Sequence, residues 1–434
     1  MKTNLFEFDF PLLFSAIVLT FFGILFIYSS SISSSGAPAS SEYIRQIVWA
    51  VVGLFAAIVM ALSNYSRIYH IAIYLYIVTI FLLILTLFMG TVVNGARAWI
   101  RIGSFGIQPS EFTKITTILF LSQYLDSSKR NTNDFHRFAV SCFICLLPMG
   151  LVLLQPDFGT SLVFIPILIV ITFVAGIPGR YVFFIGLCVM LTAVLAILPF
   201  WQSLILKNSH YFSFLTDFKF IIGFTILLLA AFSIALFGFL RYKKKYFYWI
   251  AYASILAIAA LLLSFMARKV LKDYQIMRLV VFLDPNVDPR GSGWNIIQSI
   301  IAIGSGGFFG KGFLQGTQSH YRFLPQQSTD FIFSIYSEEW GFIGGVFVFI
   351  LFLVICLRLL AIIKNTSDPF GSYITAGLAA MYIFHFLINV GMTMGVMPIT
   401  GIPLLFMSYG GSALISSMVG VGLALSVHIR RFQF

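Results

Sequence analysis

Clustered acidic and basic residues interrupt an otherwise apolar chain between residues 267 and 330. This segment contains the runs FLDPNVDPRGSG, GSGGFFGKGFLQGTQS and FLPQQSTDF. Charged side chains are expensive near hydrocarbon, so their concentration in one glycine-rich segment predicts a site for a polar ligand. Two Asp-Pro steps also restrict the backbone and would present Asp284 and Asp288 in nearly fixed directions. The alternative is Asx-turn chemistry, in which both carboxylates satisfy the backbone of their own loop.

A second group of candidate residues lies in NGARAWIRIGSFGIQPSEFTKI, residues 94–115. Glu111 and Lys114 are three positions apart, which places them on one face of the helix predicted there. They could form an ion pair that hides both charges, with Glu111 near the positive end of the helix dipole. Alternatively, Arg97, Arg101 and Lys114 could surround an outward cavity as phosphate-binding cations, while Glu111 orients a neighbour. Both interpretations stay open on the sequence alone.

Two further polar positions carry weaker signals. Asp157 follows a proline in LLQPDFGTSL, where an N-cap for the next helix is favoured and binding of a metal or an arginine at a cavity rim is the alternative. Lys311 lies in the glycine-rich run GSGGFFGKG. The P-loop pattern fails there, because Gly312 follows the lysine and no predicted strand precedes the run. Its backbone amides could still bind a phosphate as a nest.

Membrane-spanning helices must position these residues. Hydrophobic residues make up 59% of the 434 residues and charged residues 10%, whereas soluble domains carry about 25% charged residues. A hydrocarbon core needs about 20 apolar residues per helix, and such runs recur along the chain. The predicted fold is therefore all-α, a polytopic membrane helical bundle. Its twelve predicted spans lie near residues 10–29, 46–63, 70–89, 110–125, 138–154, 159–176, 181–200, 220–240, 247–266, 331–356, 372–395 and 404–427.

The basic residues of the connections predict the orientation of the bundle. With the amino terminus inside, every inside connection is basic, as in the run RYKKK at residues 241–245, and the positive-inside rule is satisfied. The motifs at 94–109, 155–159 and 267–330 then all lie on the outer side. Topology explains most of the net charge of +12. Seven basic against four acidic residues in 267–330 favour an anionic substrate, whereas basic residues on both sides of a membrane argue against nucleic acid.

Cysteine and histidine do not predict a metal centre. Cys142 and Cys145 have CxxC spacing, but no second pair and no nearby histidine completes a tetrahedral site. The six histidines are scattered, and a lone histidine such as His385 inside a span is more often packed or hydrogen-bonded than a ligand. A metal site therefore stays unknown at this stage.

Nearly the whole chain resembles the SEDS family, named for shape, elongation, division and sporulation. The matching segments are GARAWIRIGSFGIQPSEFTK, QPDFGTSL, DPNVDPRGSGWNIIQSIIAIGSGGFFGKGFLQGTQS, FLPQQSTDFIFSIYSEEWGFIGG and MPITGIPLLFMSYGGSALI. Several long motifs in the same order make the resemblance specific. The run GTQS followed by RFLPQQSTDFIF is more similar to the RodA group of the family than to the FtsW group.

The resemblance implies a glycosyltransferase that polymerises lipid II, a disaccharide-pentapeptide carried on undecaprenyl pyrophosphate, into peptidoglycan strands for cell elongation and rod shape. It implies a class B penicillin-binding protein as crosslinking partner, surrounding membrane lipid, and a site on the outer face of the bacterial cytoplasmic membrane. The Asp of the family motif DPxGxG falls on Asp288, which would accept a sugar hydroxyl proton as general base. Glu111, Lys114 and Asp157 carry over as cavity residues.

The chemistry of this transfer also requires stabilisation of the leaving group. Arg97, Arg101 and Lys114 are predicted to neutralise the departing pyrophosphate, alone or with a divalent cation such as Mg²⁺ or Mn²⁺, and Lys311 is a further predicted substrate-binding residue. No other cofactor is implied. Two other functions stay open: a flippase for lipid II, which would also carry charges in a membrane cavity, and a non-catalytic scaffold that recruits the penicillin-binding partner.

The chain departs from the family pattern in two places. Ala98 precedes Trp99 where many members have Arg, so Arg97 or Arg101 must supply any basic group needed there. Members commonly have ten spans, whereas an inserted helical pair within residues 201–266 gives twelve here. The predicted organisation is a single membrane domain, 1–434, whose extracytoplasmic catalytic loop, 267–330, stays outside because the added pair preserves parity.

Overall fold

A computed structural model describes residues 8–32, 40–93, 95–102, 105–129, 132–205, 213–215, 217–270, 273–289, 291–321 and 323–431. This part of the chain forms sixteen α-helices and one small sheet. In chain order the helices are α1 (Phe10–Ser31), α2 (Glu42–Leu62), α3 (Tyr65–Met89), α4 (Pro109–Ser127), α5 (Asp134–Leu154), α6 (Phe158–Leu162), α7 (Phe164–Val174), α8 (Gly179–Ile205), α9 (Phe218–Tyr242), α10 (Lys245–Val270), α11 (Asp273–Leu283), α12 (Ser292–Ser305), α13 (Thr317–His320), α14 (Ile332–Asn365), α15 (Pro369–Thr393) and α16 (Gly411–Ile429).

Ten of the described helices are long and apolar enough to cross a membrane, namely α1, α2, α3, α5, α8, α9, α10, α14, α15 and α16. Helices also occupy the other two predicted positions. α4 carries three charged residues, Glu111, Lys114 and Asp126, and is therefore more charged than the ten spans. The apolar segment Phe158–Val174, which comprises α6 and α7, is shorter than a span. The predicted all-α, multi-pass membrane fold is confirmed.

The described chain divides into two compact units. One comprises Met1–Ile177 together with Asn295–Phe434, and the other comprises Pro178–Trp294. The predicted inserted pair falls in the second unit, where α9 and α10 form a helical hairpin. Only 11% of the most apolar stretch of α9 is buried within the protein. A helix that is apolar on all sides and so little covered is suited to face lipid.

The core of the first unit forms around α15 and α16, which are the most buried of its spans. Small residues let neighbouring helices approach them closely. A Cβ on Gly377 would collide with Ile118 of α4 and Ile171 of α7, and one on Gly420 would collide with Tyr382 of α15. Gly377 therefore brings α15 against α4, the helix that carries Glu111 and Lys114, and Gly420 brings α16 against α15.

A three-stranded antiparallel sheet joins α3 to α4, where the sequence indicated only a connection. Its strands are β1 (Thr91–Val93), β2 (Ala96–Ile102) and β3 (Phe105–Ile107). Arg97 and Arg101 both lie on β2, and the pairing of β1 with β2 is irregular between Ala96 and Trp99, the stretch that contains Arg97. In the β2–β3 pair, Arg101 lies opposite Gly106.

The segment predicted as a loop, 267–330, contains several helices. It contains the end of α10, all of α11 and α12, and the short α13. α11 and α12, of 11 and 14 residues, are too short to cross a membrane. Neither contains an apolar run of the length that predicts a span. The extended backbone predicted from the two Asp-Pro steps is confined to the turns between α11 and α12.

Candidate active site

The motif DPNVDPRGSG folds into consecutive turns in the second unit. Asp284 caps a 3-10 turn, Pro285–Val287, by accepting a hydrogen bond from the Asn286 N–H at 2.9 Å. The Asx turn offered as an alternative role is therefore confirmed for Asp284. Asp288 ends the same turn, and its carbonyl accepts hydrogen bonds from the N–H groups of Gly291 and Gly293 at 3.3 and 2.9 Å.

The two glycines of this motif make room for Asp288. A Cβ on Gly291 would occupy the space of the Asp288 carboxylate, and one on Gly293 would strike the carbonyl oxygens of Pro285 and Asp288. The spacing of the aspartate and the glycines is thus a steric requirement of the turn. Asp288 as a residue is half-buried, so it is neither sealed in the interior nor fully exposed.

Glu111 and Lys114 form a sealed ion pair in the first unit. Lys114 Nζ lies 2.8 Å from Glu111 Oε1, and the two side chains are 1% and 2% exposed. His385 Nε2 lies 3.1 Å from the same ammonium, while its Nδ1 lies 3.1 Å from the Pro403 carbonyl. Since an ammonium can only donate, Nε2 accepts and Nδ1 carries the proton that is donated to Pro403. The Ser416 hydroxyl donates to Glu111 Oε2 at 3.4 Å.

This cluster of Glu111, Lys114, His385 and Ser416 is electrically balanced. One carboxylate and one ammonium cancel, and the imidazole is neutral in the tautomer that its neighbours require. Of the two alternatives left open by the sequence, the structure shows the ion pair between Glu111 and Lys114. Because the charge of Lys114 is already compensated, its predicted role as a phosphate-binding cation stays a prediction.

Asp157 caps α6, as favoured from the sequence. It accepts hydrogen bonds from the Thr160 N–H at 3.1 Å and the Thr160 hydroxyl at 2.9 Å. Gln108, which precedes α4, also donates to it at 2.8 Å. Asp157 therefore joins the start of α6 to the start of α4. Desolvation raises the pKa of Asp157 above its ordinary value, and the hydrogen bonds from Thr160 oppose that rise.

Arg97 and Arg101 are exposed on β2 but have different surroundings. The Arg97 guanidinium approaches the Leu87 carbonyl at 3.4 Å. Arg101 lines a polar cavity of about 920 Å³ in the first unit, which we call the Arg101 cavity. Arg97 and Lys114 are not among its lining residues in the described part of the chain. The structure therefore does not bring the three predicted cations together in this cavity.

Lys311 is tied to a buried acid. Its Nζ lies 2.6 Å from Glu338 Oε1 and donates to the Thr317 hydroxyl at 2.8 Å. Glu338 also accepts hydrogen bonds from the N–H groups of Thr317 and Gln318 at 2.9 and 3.1 Å. Lys311 is thus a partner for Glu338 in the structure, and its predicted contact with substrate stays a prediction.

The glycine-rich run around Lys311 packs backbone to backbone against α14. The Lys311 and Gly312 N–H groups donate to the carbonyls of Glu338 and Glu339 at 3.1 and 3.0 Å. Opposite them, Gly341 interrupts α14 with a φ of 64°, a conformation that glycine adopts readily. These amides are engaged within the protein, so they are not available as the phosphate nest considered from the sequence.

Sequence reasoning missed three polar partners, His385, Ser416 and Glu338. Each lies within an apolar helix, where a buried polar residue signals a partner or a function. The sequence therefore contained the signal that each residue has a partner. It did not identify that partner, because the contacts join distant parts of the chain. The Lys114–His385 contact, for example, joins residues 271 positions apart.

The described residues do not contain a closed metal cage. No group of three or more His, Cys, Asp or Glu side chains in them could hold a metal ion. Mg²⁺ commonly keeps several waters and binds through one or two carboxylates plus substrate phosphates. A cation bound jointly with a pyrophosphate would not require such a group, and the predicted Mg²⁺ or Mn²⁺ stays a prediction.

Comparison with known proteins identifies relatives along nearly the whole chain. The FtsW/RodA/SpoVE family model, described as cell cycle protein, matches residues 10–220 and 216–433. The chain is 48% identical to peptidoglycan glycosyltransferase RodA of Treponema pallidum, over 98% of each chain. It is 32% identical to stage V sporulation protein E of Bacillus subtilis, over 96% of each.

Solved structures agree with this match. A structure described as "Structural coordination of polymerization and crosslinking by a peptidoglycan synthase complex" is similar with a TM-score of 0.67 and 29% identity, over 98% of this chain and 99% of that chain. The crystal structure of rod shape determining protein RodA of Thermus thermophilus gives a TM-score of 0.61 and 25% identity, over 98% of each chain. The resemblance seen in the sequence is confirmed, and the chain belongs to the FtsW/RodA/SpoVE family of cell cycle proteins.

Proposed function

We propose that this chain is a peptidoglycan glycosyltransferase that polymerises lipid II into glycan strands for cell elongation and rod shape. One observation carries the proposal: the 48% identity, over nearly the full length of both chains, to a protein named peptidoglycan glycosyltransferase RodA. Glycosyl transfer needs a proton acceptor and positive charge for the leaving group, and the described residues offer both.

Asp288 is the proposed proton acceptor. A hydroxyl of one sugar attacks the anomeric carbon of another, a new C–O bond forms, and the bond to undecaprenyl pyrophosphate breaks. The carboxylate takes the proton of the attacking hydroxyl, and the pyrophosphate leaves with the electron pair of the broken bond. The turn that holds Asp288 supports this role, because Gly291 leaves room for its carboxylate and the residue is not sealed in the interior.

Exposed arginines are the proposed electrostatic partners of the pyrophosphate. Arg97 and Arg101 both lie on β2 and remain accessible, in contrast to the sealed Lys114. A guanidinium donates in a fixed fork that matches phosphate oxygens. A bound Mg²⁺ or Mn²⁺ would add positive charge at the same leaving group.

The membrane setting supports the proposed partners. We place the chain in the bacterial cytoplasmic membrane with Asp288 outside, because basic residues such as those of RYKKK at 241–245 then lie inside. A class B penicillin-binding protein is the proposed crosslinking partner. Similarity to a structure described as a peptidoglycan synthase complex that coordinates polymerization and crosslinking supports it.

Polymerisation of lipid II by the purified protein, with and without the penicillin-binding partner, tests the proposal. Asp288→Asn keeps the side-chain volume and should lower the rate by roughly 10²- to 10⁴-fold, the usual contribution of a positioned base. Asp284→Asn is the matched control and should lose much less, since Asn also forms Asx turns. Gly291→Ala should lose activity as well, because its Cβ displaces the carboxylate, whereas Gly150→Ala, with open space around its Cβ, should not.

The same experiment separates the alternatives. Near wild-type polymerisation by folded Asp288→Asn would reject Asp288 as the base. Absence of polymer from wild type with its partner, together with movement of lipid II across vesicle membranes, would favour the flippase. Absence of both activities, with retained binding of the partner, would favour the scaffold.

A further inference from the structure

The hairpin of α9 and α10 turns at residues 241–245, the basic run RYKKK, which we call the hairpin tip. We propose that the hairpin tip binds the phosphate groups of anionic phospholipids in the inside leaflet of the membrane. The proposal uses the orientation given above, in which the hairpin tip lies inside, and does not depend on glycosyltransferase activity. The positive-inside rule explains why this turn is basic, but not why its charges are concentrated and uncompensated.

No nearby acid balances the charge of the hairpin tip. All four of its cations are exposed, and none forms a salt bridge with another described residue. Between residues 178 and 272 the sequence has one acid, Asp217, which caps the far end of α9. A helix of 25 residues, about 37 Å long, separates that carboxylate from the hairpin tip. Salt screens charges that are this far apart.

Basic residues in the other connections that we place inside have different surroundings. Arg137 forms a salt bridge with Asp134 at 3.6 Å, and Arg358 forms one with Asp9 at 2.9 Å. Exposed cations are divided among three separate connections, at Arg67, Lys129 and Lys364. Four exposed cations within five positions therefore set the hairpin tip apart from the other described inside connections.

Helix stability does not account for Lys243 and Lys245. Lys243 ends α9 with a φ of 52°, a left-handed conformation that glycine adopts more readily than lysine. Lys245 is the first residue of α10, where the positive end of the helix dipole disfavours a cation. The chain thus has lysine where glycine or an acid would stabilise the fold. A bound phosphate would offset the repulsion at the start of α10 and use both charges.

Arg180 adds a cation beside the start of α10. It is exposed near the start of α8, and its guanidinium carbon lies 5.9 Å from the centre of the Tyr248 ring. The Tyr252 hydroxyl donates to the Arg180 carbonyl at 2.8 Å, which fixes the start of α8 next to α10. Tyr248 lies one helical turn from Lys245. A phosphate, which has several acceptor oxygens, can therefore meet cations of α8 and of the hairpin tip.

Aromatic side chains favour a lipid phosphate over a phosphate in solution. Tyr242, Tyr246 and Trp249 are 62%, 53% and 58% exposed at this end of the hairpin. Tyrosine and tryptophan are enriched at membrane interfaces, because their rings are apolar and their O–H and N–H groups are polar. The cations thus lie at the level of lipid headgroups, next to a helix suited to face lipid.

Packing within the hairpin holds the hairpin tip in shape. The Lys243 N–H donates to the Phe239 carbonyl at 2.9 Å, and the Phe247 N–H donates to the Lys244 carbonyl at 3.3 Å. A Cβ on Gly238 would lie 2.6 Å from the Phe247 ring, so the two helices approach closely here. The backbone of the turn is therefore fixed before a lipid binds, which lowers the entropy cost of binding.

Native mass spectrometry of the purified full chain, titrated with phosphatidylglycerol in a neutral detergent, tests the proposal. Wild type should bind phosphatidylglycerol saturably and more tightly than phosphatidylcholine. Replacement of all three lysines at 243–245 by Gln should weaken phosphatidylglycerol binding roughly tenfold to 100-fold. The matched control also removes three charges, through Arg67→Gln, Lys129→Gln and Lys364→Gln, and should bind as wild type does.

Lys243→Gly separates binding from folding. It removes one cation and places glycine at a left-handed position, so the unfolding midpoint should equal or exceed that of wild type. Affinity for phosphatidylglycerol should nevertheless fall about fivefold, the usual share of one cation at an anionic lipid surface. This variant decides the outcome if the triple lysine variant does not fold.

Three results of the titration would overturn the proposal. Unchanged phosphatidylglycerol affinity in the folded lysine variants would show that the hairpin tip does not bind the lipid. Equal losses in the triple lysine variant and in its matched control would show an effect of net charge alone. Equal affinity of wild type for phosphatidylcholine would assign the bound lipid to its acyl chains. None of these measurements uses lipid II, so they are independent of the proposed activity.

Cysteine labelling tests the leaflet. Lys244→Cys should stay unlabelled by a membrane-impermeant maleimide in intact cells, whereas Asp217→Cys, at the other end of α9, should be labelled. Labelling of Lys244→Cys would place the hairpin tip outside and overturn the assignment to inside lipids.

Discussion

Basic residues meet their surroundings in two opposite ways in the first unit. Lys114 is 1% exposed and has Glu111 and His385 as partners, whereas Arg45 and Arg101 are exposed at the Arg101 cavity and form no salt bridge with another described residue. The sealed cluster is balanced in charge and contributes to the fold. The open arginines keep their capacity to bind an anion. A basic residue in a membrane protein is therefore assigned a role by its partners rather than by its charge.

The difference has energetic consequences. Removal of one partner from a buried ion pair leaves an uncompensated charge and costs about 3–5 kcal/mol. Removal of an exposed cation usually changes stability by less than about 0.5 kcal/mol. Substitutions in the two regions should thus affect different measurements, unfolding for one and substrate binding for the other.

The largest effect is expected for Lys114→Met. It leaves the Glu111 carboxylate buried without its cation, so the free energy of unfolding should fall by about 3–5 kcal/mol, measured by thermal unfolding in detergent. Glu111→Gln combined with Lys114→Met should restore much of the loss, because neither charge then remains. Lys364→Met, at an exposed lysine, is the control. A stable Lys114→Met that fails to bind lipid II would reverse the comparison and favour the phosphate-binding role.

Arg101→Gln should show the opposite pattern. The unfolding midpoint should stay near the wild-type value, while affinity for lipid II falls by about 1.5–3 kcal/mol, or roughly tenfold to 150-fold. Arg67→Gln, an exposed arginine on α3, should change neither quantity. Loss of stability in Arg101→Gln without loss of affinity would show that the open cavity also has a structural role.

Lys311→Met tests an intermediate case. Lys311 is 26% exposed, but its partner Glu338 is fully buried. Glu338 keeps hydrogen bonds from Thr317 and Gln318 after the substitution, so the expected loss of stability is smaller than for Lys114, about 1–3 kcal/mol. Glu338→Gln with Lys311→Met should recover part of it. A loss as large as that of Lys114→Met would show that these hydrogen bonds do not compensate for the missing cation.

The smallest effect is expected for Asp157→Asn, and it should depend on pH. Asn is as good an N-cap as Asp, so the cap on Thr160 should persist, and loss of the hydrogen bond from Gln108 should cost about 0.5–1.5 kcal/mol. Because the folded-state pKa of Asp157 is raised, the folded protein holds its proton more tightly, and stability falls as pH rises from the unfolded-state pKa through the folded-state pKa. Asn removes this titration. Wild type should therefore lose stability relative to Asp157→Asn as pH increases, and parallel unfolding curves at all pH values would contradict the shift.

Local interactions were the predictable part of the candidate site. The Glu111–Lys114 pair follows from a spacing of three residues on a helix, and the cap at Asp157 follows from an aspartate before an apolar run. The Asx turn at Asp284 was likewise foreseen as an alternative. All three involve residues within four positions of each other, where the backbone geometry of a helix or turn determines which groups can meet.

The short helices and the sheet were less predictable. α11 and α12 lie in a segment that charge and length marked as a loop, and the sheet before α4 has strands of three to seven residues. Elements this short depend on the packing of the surrounding chain more than on their own residues, because their intrinsic preferences are weak.

By itself, the sequence determined that this chain crosses a membrane many times and belongs to one family of membrane proteins, because apolar runs and long motifs are properties of consecutive residues. Only the tertiary structure decided that Lys114 is sealed while Arg45 and Arg101 are open. His385 reaches Lys114 across 271 positions, and Gly411 and Trp49 meet at the cavity from helices at opposite ends of the chain. Such contacts depend on how helices pack, and packing follows from steric fit among residues that no local pattern connects.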